Sequence, residues 1–415
     1  MSDHISYPSG ADVSANPTVA ARATGSSVLS SSVLAYANGA HFFSHLFMLI
    51  YPTVVLALGD GFGLPYGEML MLSLPGFILF GAAALPAGWL GDRWSAQGML
   101  VIFFLGTGAS AVATGFADSP MAMAVGLGAI GLFASIYHPV GTAIVVANAA
   151  NPGRALGLNG VCGSAGIAAA PLIAGIAIAF LGWHWAFILP GVLSIIAGLV
   201  LLATRRGATE SGGPKEHSLT EYRVDRRDAV RGLAILMITA LSIGIMAQAI
   251  MVGLPKVFEI RVTSIAWAGL VGISGLTTLA LGFSMVGQLL GGRLADRFPL
   301  KTVYVGTYAV LAPAAICAAL LTEMPLVAAA SLVMMLTSTG LPAENTLIAR
   351  YCPSSWHARV YGVKFVLSLG VAALAVPMVG AIYDATGGFF WLFVTIAGFA
   401  ALIVACGIFL PTARA

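Results

Sequence analysis

Along this chain, apolar stretches of about twenty residues alternate with short breaks of polar residues, glycine and proline. A helix rises 1.5 Å per residue, so about twenty apolar residues cross the roughly 30 Å hydrocarbon core of a bilayer. Stretches of that length fall at 33–57, 67–90, 98–116, 121–147, 155–180, 184–203, 231–254, 267–291, 300–321, 325–348, 359–383 and 388–410. The pattern predicts twelve membrane-spanning helices and an all-α membrane protein.

Composition agrees. Hydrophobic residues make up 59% of the 415 positions and charged residues only 8%, where a water-soluble domain carries about a quarter charged. The mean hydropathy is +0.95. A net charge of +3 gives no footprint for nucleic acid, so the expected surroundings are the lipid bilayer, with no nucleic-acid partner. The four cysteines, Cys162, Cys317, Cys352 and Cys406, lie far apart in or beside apolar stretches. They read as small buried residues, without the close spacing of a zinc site or a disulfide framework.

The polar segments organise the chain. Residues 1–32 are rich in Ser, Ala, Thr and Asn and are expected to form a disordered tail, the first helix serving as an uncleaved insertion signal. A six-helix bundle over 33–203 is followed by a basic linker over 204–230, a second bundle over 231–410 and a short tail over 411–415. Positive loops stay cytoplasmic. With the N-terminus inside, the inner loops hold Arg93, Arg154, Arg205, Arg206, Arg293, Arg297, Lys301, Arg350 and Arg359, among others, and the outer loops only Lys256 and Arg261. Both termini are therefore expected in the cytoplasm, and the protein in the cell inner membrane.

The two bundles repeat each other at an offset of about 204 residues. Gly88-Trp89-Leu90-Gly91-Asp92-Arg93-Trp94 is answered by Gly292-Arg293-Leu294-Ala295-Asp296-Arg297-Phe298. Pro52 with Pro255, Pro139 with Pro342, Arg154 with Arg359, Gly157 with Gly362, Pro171 with Pro377 and Trp185 with Trp391 keep that offset within two residues. Duplicated parallel halves about an axis along the membrane normal are a transporter plan, with the substrate site near mid-membrane between them.

The Gly-x-Leu-x-Asp-Arg pattern after the second and eighth segments resembles the loop signature of the major facilitator superfamily. The resemblance implies two pseudo-symmetric six-helix bundles that alternately open a central site. It also implies that Gly88, Asp92, Arg93, Gly292, Asp296 and Arg297 form a conformational latch, an aspartate at a helix end pairing with arginine or a helix N-terminus. The first copy departs from the pattern at Ser95 and Ala96. In the fifth segment Gly157, Gly166, Ala170, Pro171, Ala174 and Gly175 are spaced like the family's exporter-associated motif, small residues permitting close helix packing. Tyr137-His138-Pro139 is similar to the fosmidomycin-resistance branch, which is associated with drug export. It departs from that branch at Val140-Gly141, where an acidic residue is more usual.

Ionisable groups inside a membrane are costly and mark function. Here they are His41, His45, His138, Glu344 and Lys364. His41 and His45 share a helix face with Asn38 and Met48, and Gln248 stands at the position of His45 in the second half. Asn38, His41, His45, His138, Gln248 and Glu344 are candidates for the substrate or proton pathway, whereas Lys364, near a helix start, can snorkel to the inner surface. The histidines have three possible uses: proton exchange, contact with a polar or anionic substrate, or, with Met48, ligation of a transition metal. Glu344 is expected either to carry a proton or to pair with Lys364 or Arg359.

The leading expectation is a monomeric secondary transporter that exports a drug-like or small organic compound in exchange for protons. Importing a metabolite, or copper or iron, is the alternative within the same class, and a non-transporting receptor or scaffold is the alternative outside it. No catalytic constellation, phosphate loop or Walker sequence is present, so neither an enzyme nor a cofactor is expected.

Overall fold

The computed structural model describes residues 17–204, 225–353 and 356–411. Among the described residues, twelve helices are long and apolar enough to cross a membrane: α1 (Ser32–Leu58), α2 (Tyr66–Arg93), α3 (Ala96–Thr114), α4 (Pro120–Asn148), α5 (Gly153–Leu181), α6 (Trp183–Thr204), α7 (Arg226–Arg261), α8 (Thr263–Arg297), α9 (Leu300–Leu320), α10 (Glu323–Tyr351), α11 (Arg359–Thr386) and α12 (Phe390–Ile408). Ten of the expected boundaries hold within a few residues. The seventh and eighth helices are longer, because Arg226–Arg231 and Arg293–Arg297 continue the hydrogen-bonded ladder past the apolar span.

The first helix also extends, running back to Pro17. Residues 17–32 are therefore helical where a disordered tail was expected: alanines favour helix, and proline suits a first turn. The rest of that tail (1–16), the linker's central part (205–224) and residues 412–415 lie outside the described residues.

Side chains close the helix ends. Ser95, Ser119 and Asn151 accept the backbone N–H of the residue three positions on, at 3.0, 3.3 and 3.1 Å, as N-caps do. Arg261, one of the two basic residues on the sparsely charged end, donates to the last carbonyls of α9 at Ala318, Ala319 and Leu321. Lys301 does the same at the end of α12, donating to the carbonyls of Ile408 and of Leu410 just beyond it, at 2.6 and 2.8 Å.

The halves meet along two seams, α2 with α11 and α5 with α8, and α1 packs on α7 between them. Backbones touch where side chains are missing: a Cβ on Gly81 of α2 would lie 2.2 Å from the Cα of Gly370 in α11. The second seam is hydrogen-bonded. Gln288 Nε2 donates to Ser164 Oγ at 2.7 Å, and the Leu172 amide to Thr278 Oγ1 at 3.2 Å.

The repeat seen in the sequence reappears as paired helix breaks. In α4 the residues Tyr137–Gly141 form a π-helical turn around Pro139; α10 is interrupted at Gly340, just before Pro342. Proline removes a donor and forces such a break. π-Turns recur at functional sites, and each break here sets an ionisable residue, His138 or Glu344, inside its half.

Candidate functional site

Each half holds one cluster of polar and ionisable side chains. The first belongs to the N-terminal half. His41 and His45, one turn apart on α1, meet His138 from the π-turn of α4, with ring centroids 5.1, 5.6 and 5.4 Å apart. One ligand-type nitrogen from each lies within 4.8 Å of the other two. His138 is buried and its Nε2 has no hydrogen-bond partner; His41 and His45 keep part of their surface accessible.

Asn159 of α5, buried at 3% exposure, organises this cluster. Its backbone carbonyl lies 2.7 Å and its side-chain oxygen 3.0 Å from His41 Nδ1. That side-chain oxygen also accepts the Tyr137 hydroxyl at 2.6 Å, while Nδ2 donates to Asn38 at 2.9 Å. Tyr137 stacks on His41 at 4.5 Å and folds over Gly141, where a Cβ would fall 2.2 Å from its ring. A side chain at Gly141 would therefore displace the Tyr137 ring.

The second cluster belongs to the C-terminal half. Glu344 Oε2 of α10 is 2.6 Å from Lys364 Nζ of α11, the side chains 0% and 7% exposed. That distance is one of direct, charge-assisted contact, and no other donor among the described residues satisfies either carboxylate oxygen. Lys364 donates to Asn345 Oδ1 at 2.6 Å, and Tyr361 to the Asn345 carbonyl at 2.7 Å. Tyr304, Tyr308 and Tyr361 lie within electrostatic reach of Glu344. Of the two partners expected for Glu344, Lys364 is the one present; Arg359 lies over Trp356 at 5.0 Å.

One helix joins the clusters. Lys364 holds Glu344, and the next residue, Phe365, stacks on His138 at 5.5 Å. A second π-turn, Val366–Gly370, follows at once and ends on the glycine that touches Gly81.

The two ends of the bundle differ. Opposite the arginine-rich end, the Gly67 amide donates to Asp384 Oδ1 at 3.1 Å across the halves. There Tyr66 packs on Tyr383 at 5.0 Å, and Lys256, ion-paired with Glu259, lies 5.6 Å from both tyrosine rings. At the arginine-rich end Asp92 and Asp296 are exposed, and no ion pair among the described residues includes either. Arg93 lies over Trp89 of its own helix at 5.1 Å; Arg297 is exposed. The glycines of the two copies are not equivalent, Gly88 packing against Pro139 while Gly292 faces open space.

The remaining expected residues divide. On α5, Gly166 lies against the backbone of Phe42 in α1 and Gly175 against Ser274 in α8, whereas Gly157 has nothing nearby; Pro171 sits within a continuous helix. Gln248 Nε2 is buried without a partner, and Met48 is buried on α1. Asn159, Phe365, Tyr304, Tyr308 and Asp384 were not anticipated. Asn159 alone left a trace in the sequence, as an amide within an apolar run.

The chain matches the model of the Major Facilitator Superfamily over residues 37–283 and again over 236–415. It is similar in structure to a bacterial homolog of the human lysosomal transporter Spinster in its inward-facing, occupied conformation. That match has a TM-score of 0.70 at 15% identity, covering 92% of this chain and 94% of that one; the unoccupied conformation gives 0.65 at the same identity. A mutant of the peptide transporter POT in complex with sulfate gives 0.70 at 17% identity, covering 91% of this chain and 92% of that one. No curated protein matches the sequence significantly.

Proposed function

The chain belongs to the Major Facilitator Superfamily, whose members are transporters rather than enzymes, and on that premise we propose that it moves a small polar solute in exchange for protons by alternating access. The observation that carries this reading is the buried Glu344–Lys364 pair, linked through consecutive residues of α11 to the histidine cluster. A charged pair sealed from water is held by mutual attraction, and neutralising one member sets the other free. Protonation of Glu344 releases Lys364, α11 shifts at its π-turn, and Phe365 moves against His138. Solute in the histidine cluster and a proton on Glu344 thereby bias the same helix.

Alternating access follows as a rocking of α1–α6 against α7–α12. The tie at Gly67–Asp384 and the aromatic group around Lys256 close one end. The latch aspartates, exposed in this state, assemble when the opposite end closes. Arginine placement supports the cell inner membrane with both termini cytoplasmic, which makes the tied end the external one. A monomer suffices, since both clusters lie within one chain. Export is supported by the resemblance of Gly157, Gly166, Pro171 and Gly175 to the family's exporter-associated motif, and a drug-like organic compound is one cargo such an antiporter would carry.

The test is solute flux in oriented proteoliposomes with an imposed pH gradient. Uphill movement driven by protons in the natural protein and lost in Glu344→Gln supports the reading. Equal gradient-driven flux in that variant refutes it.

A further inference from the structure

The histidine cluster has the chemistry of a metal site. His41 Nδ1 faces two acceptors, the Asn159 carbonyl and the Asn159 side-chain oxygen, the latter fixed as oxygen because it also receives the Tyr137 hydroxyl. The proton therefore sits on Nδ1 and the Nε2 lone pair is left free, the arrangement that second-shell carbonyls impose on metal-ligating histidines. His138, only 8% exposed, leaves Nε2 without a partner beside it. Burying an unpaired ring nitrogen is costly, and a third imidazole, His45, lies within the same group.

We infer that His41, His45 and His138 bind one late first-row transition-metal ion, such as Zn2+ or Co2+, as the cargo of this transporter; the inference rests on the transport reading above and names its solute. Three imidazoles with no hard oxygen ligand suit these ions and not Mg2+ or Ca2+. Three protein ligands leave a fourth position open for exchange. In a tetrahedral site with metal–nitrogen bonds of about 2.0–2.1 Å the nitrogens stand about 3.3 Å apart, so the cluster closes by up to about 1.5 Å on binding, through side-chain rotation. No carboxylate belongs to the group among the described residues. A doubly charged ion held by neutral ligands within a membrane is bound only weakly, as befits cargo that must leave. The aromatic lid, Phe365, comes from the other half, so relative movement of the halves uncovers the site. Met48, expected as a companion ligand, is not required; His138 completes the set.

The full-length protein, purified without an oligohistidine tag, is titrated with Zn2+ and, for its visible absorption bands, with Co2+. One ion per chain is expected, undisturbed by excess Mg2+ or Ca2+. His138→Asn should abolish binding. Asn159→Ala, which keeps all three ligands but frees the His41 ring, should weaken it about 10–100-fold. Helical circular dichroism and gel filtration verify that each variant is folded. Absence of stoichiometric binding, or unchanged binding in folded His138→Asn, overturns the site. The same protein in proteoliposomes is then challenged with Zn2+ and with organic cations under a pH gradient. Zn2+ flux lost in His138→Asn supports the inference; Zn2+ that binds but never crosses overturns its role as cargo. If organic cations exchange with protons while Zn2+ neither binds nor moves, the transport reading stands and the metal inference falls.

Discussion

Removing Lys364 should cost more than removing the charge of Glu344. In Lys364→Met the carboxylate is left fully buried, with no directed hydrogen bond to replace the lost charge. Breaking a buried ion pair from one side costs about 3–5 kcal/mol, and with no other donor on the carboxylate the upper part of that range applies. In Glu344→Gln the ammonium keeps its 2.6 Å hydrogen bond to Asn345. A hydrogen bond to a charged group contributes about 1.5–3 kcal/mol, so this variant should be less destabilised by roughly that amount. The double variant leaves no stranded charge and should recover most of the loss of Lys364→Met. Reversible unfolding in mixed micelles, read as a double-mutant cycle, gives the coupling directly. Equal costs for the two single variants, or losses that simply add in the double, would refute the pairing argument and remove the basis for proton coupling at this site.

Four further outcomes follow from the same geometry. Asn159→Ala, which strands the Tyr137 hydroxyl and His41 Nδ1 in a buried site, should cost about 1–3 kcal/mol for each orphaned group, measured by the same unfolding; no measurable change would sink its role as organiser. Gly81→Val places side-chain atoms against Gly370, so overpacking of about 1–3 kcal/mol should separate α2 from α11, visible as failure of a cysteine pair across that seam to crosslink. Asp384→Ala removes the acceptor of the Gly67 amide and should increase labelling of a cysteine placed at the tied end; unaltered labelling would show that the tie does not hold that end shut. Asp92→Ala and Asp296→Ala change exposed, unpaired residues here, so stability should stay within about 0.5 kcal/mol while transport falls, and near-normal transport in both would end the latch proposal.

The twelve helices were legible because lipid demands one thing, apolar length, and the sequence states it. The duplication was legible through glycine, proline and arginine landmarks, and the prolines at 139 and 342 became the helix breaks that position His138 and Glu344. The site was only half legible. An ionisable residue in an apolar run announces itself, so the histidines, Glu344 and Lys364 were found, but partner choice is set by helix rotation and by π-turns that shift register. His138 therefore joined His41 and His45 where Met48 had been expected. Gln248, placed by the repeat, has no polar partner. Asn159 stood out only as an amide in an apolar run, with nothing in the sequence to tie it to His41 and Tyr137, and Phe365 is one of many aromatic rings in such helices. Asp384, at a helix end, bridges the halves, a role its position in the sequence did not announce.

In the proposed mechanism solute and proton movement share one moving helix, α11. An internal-pH dye in oriented proteoliposomes, challenged in turn with Zn2+, organic cations, phosphonates and sugars, reads that coupling. One solute class should drive proton movement, and Glu344→Gln should abolish this movement while solute binding persists. Solute flux of equal size with and without a pH gradient, accompanied by no change in internal pH, would contradict it.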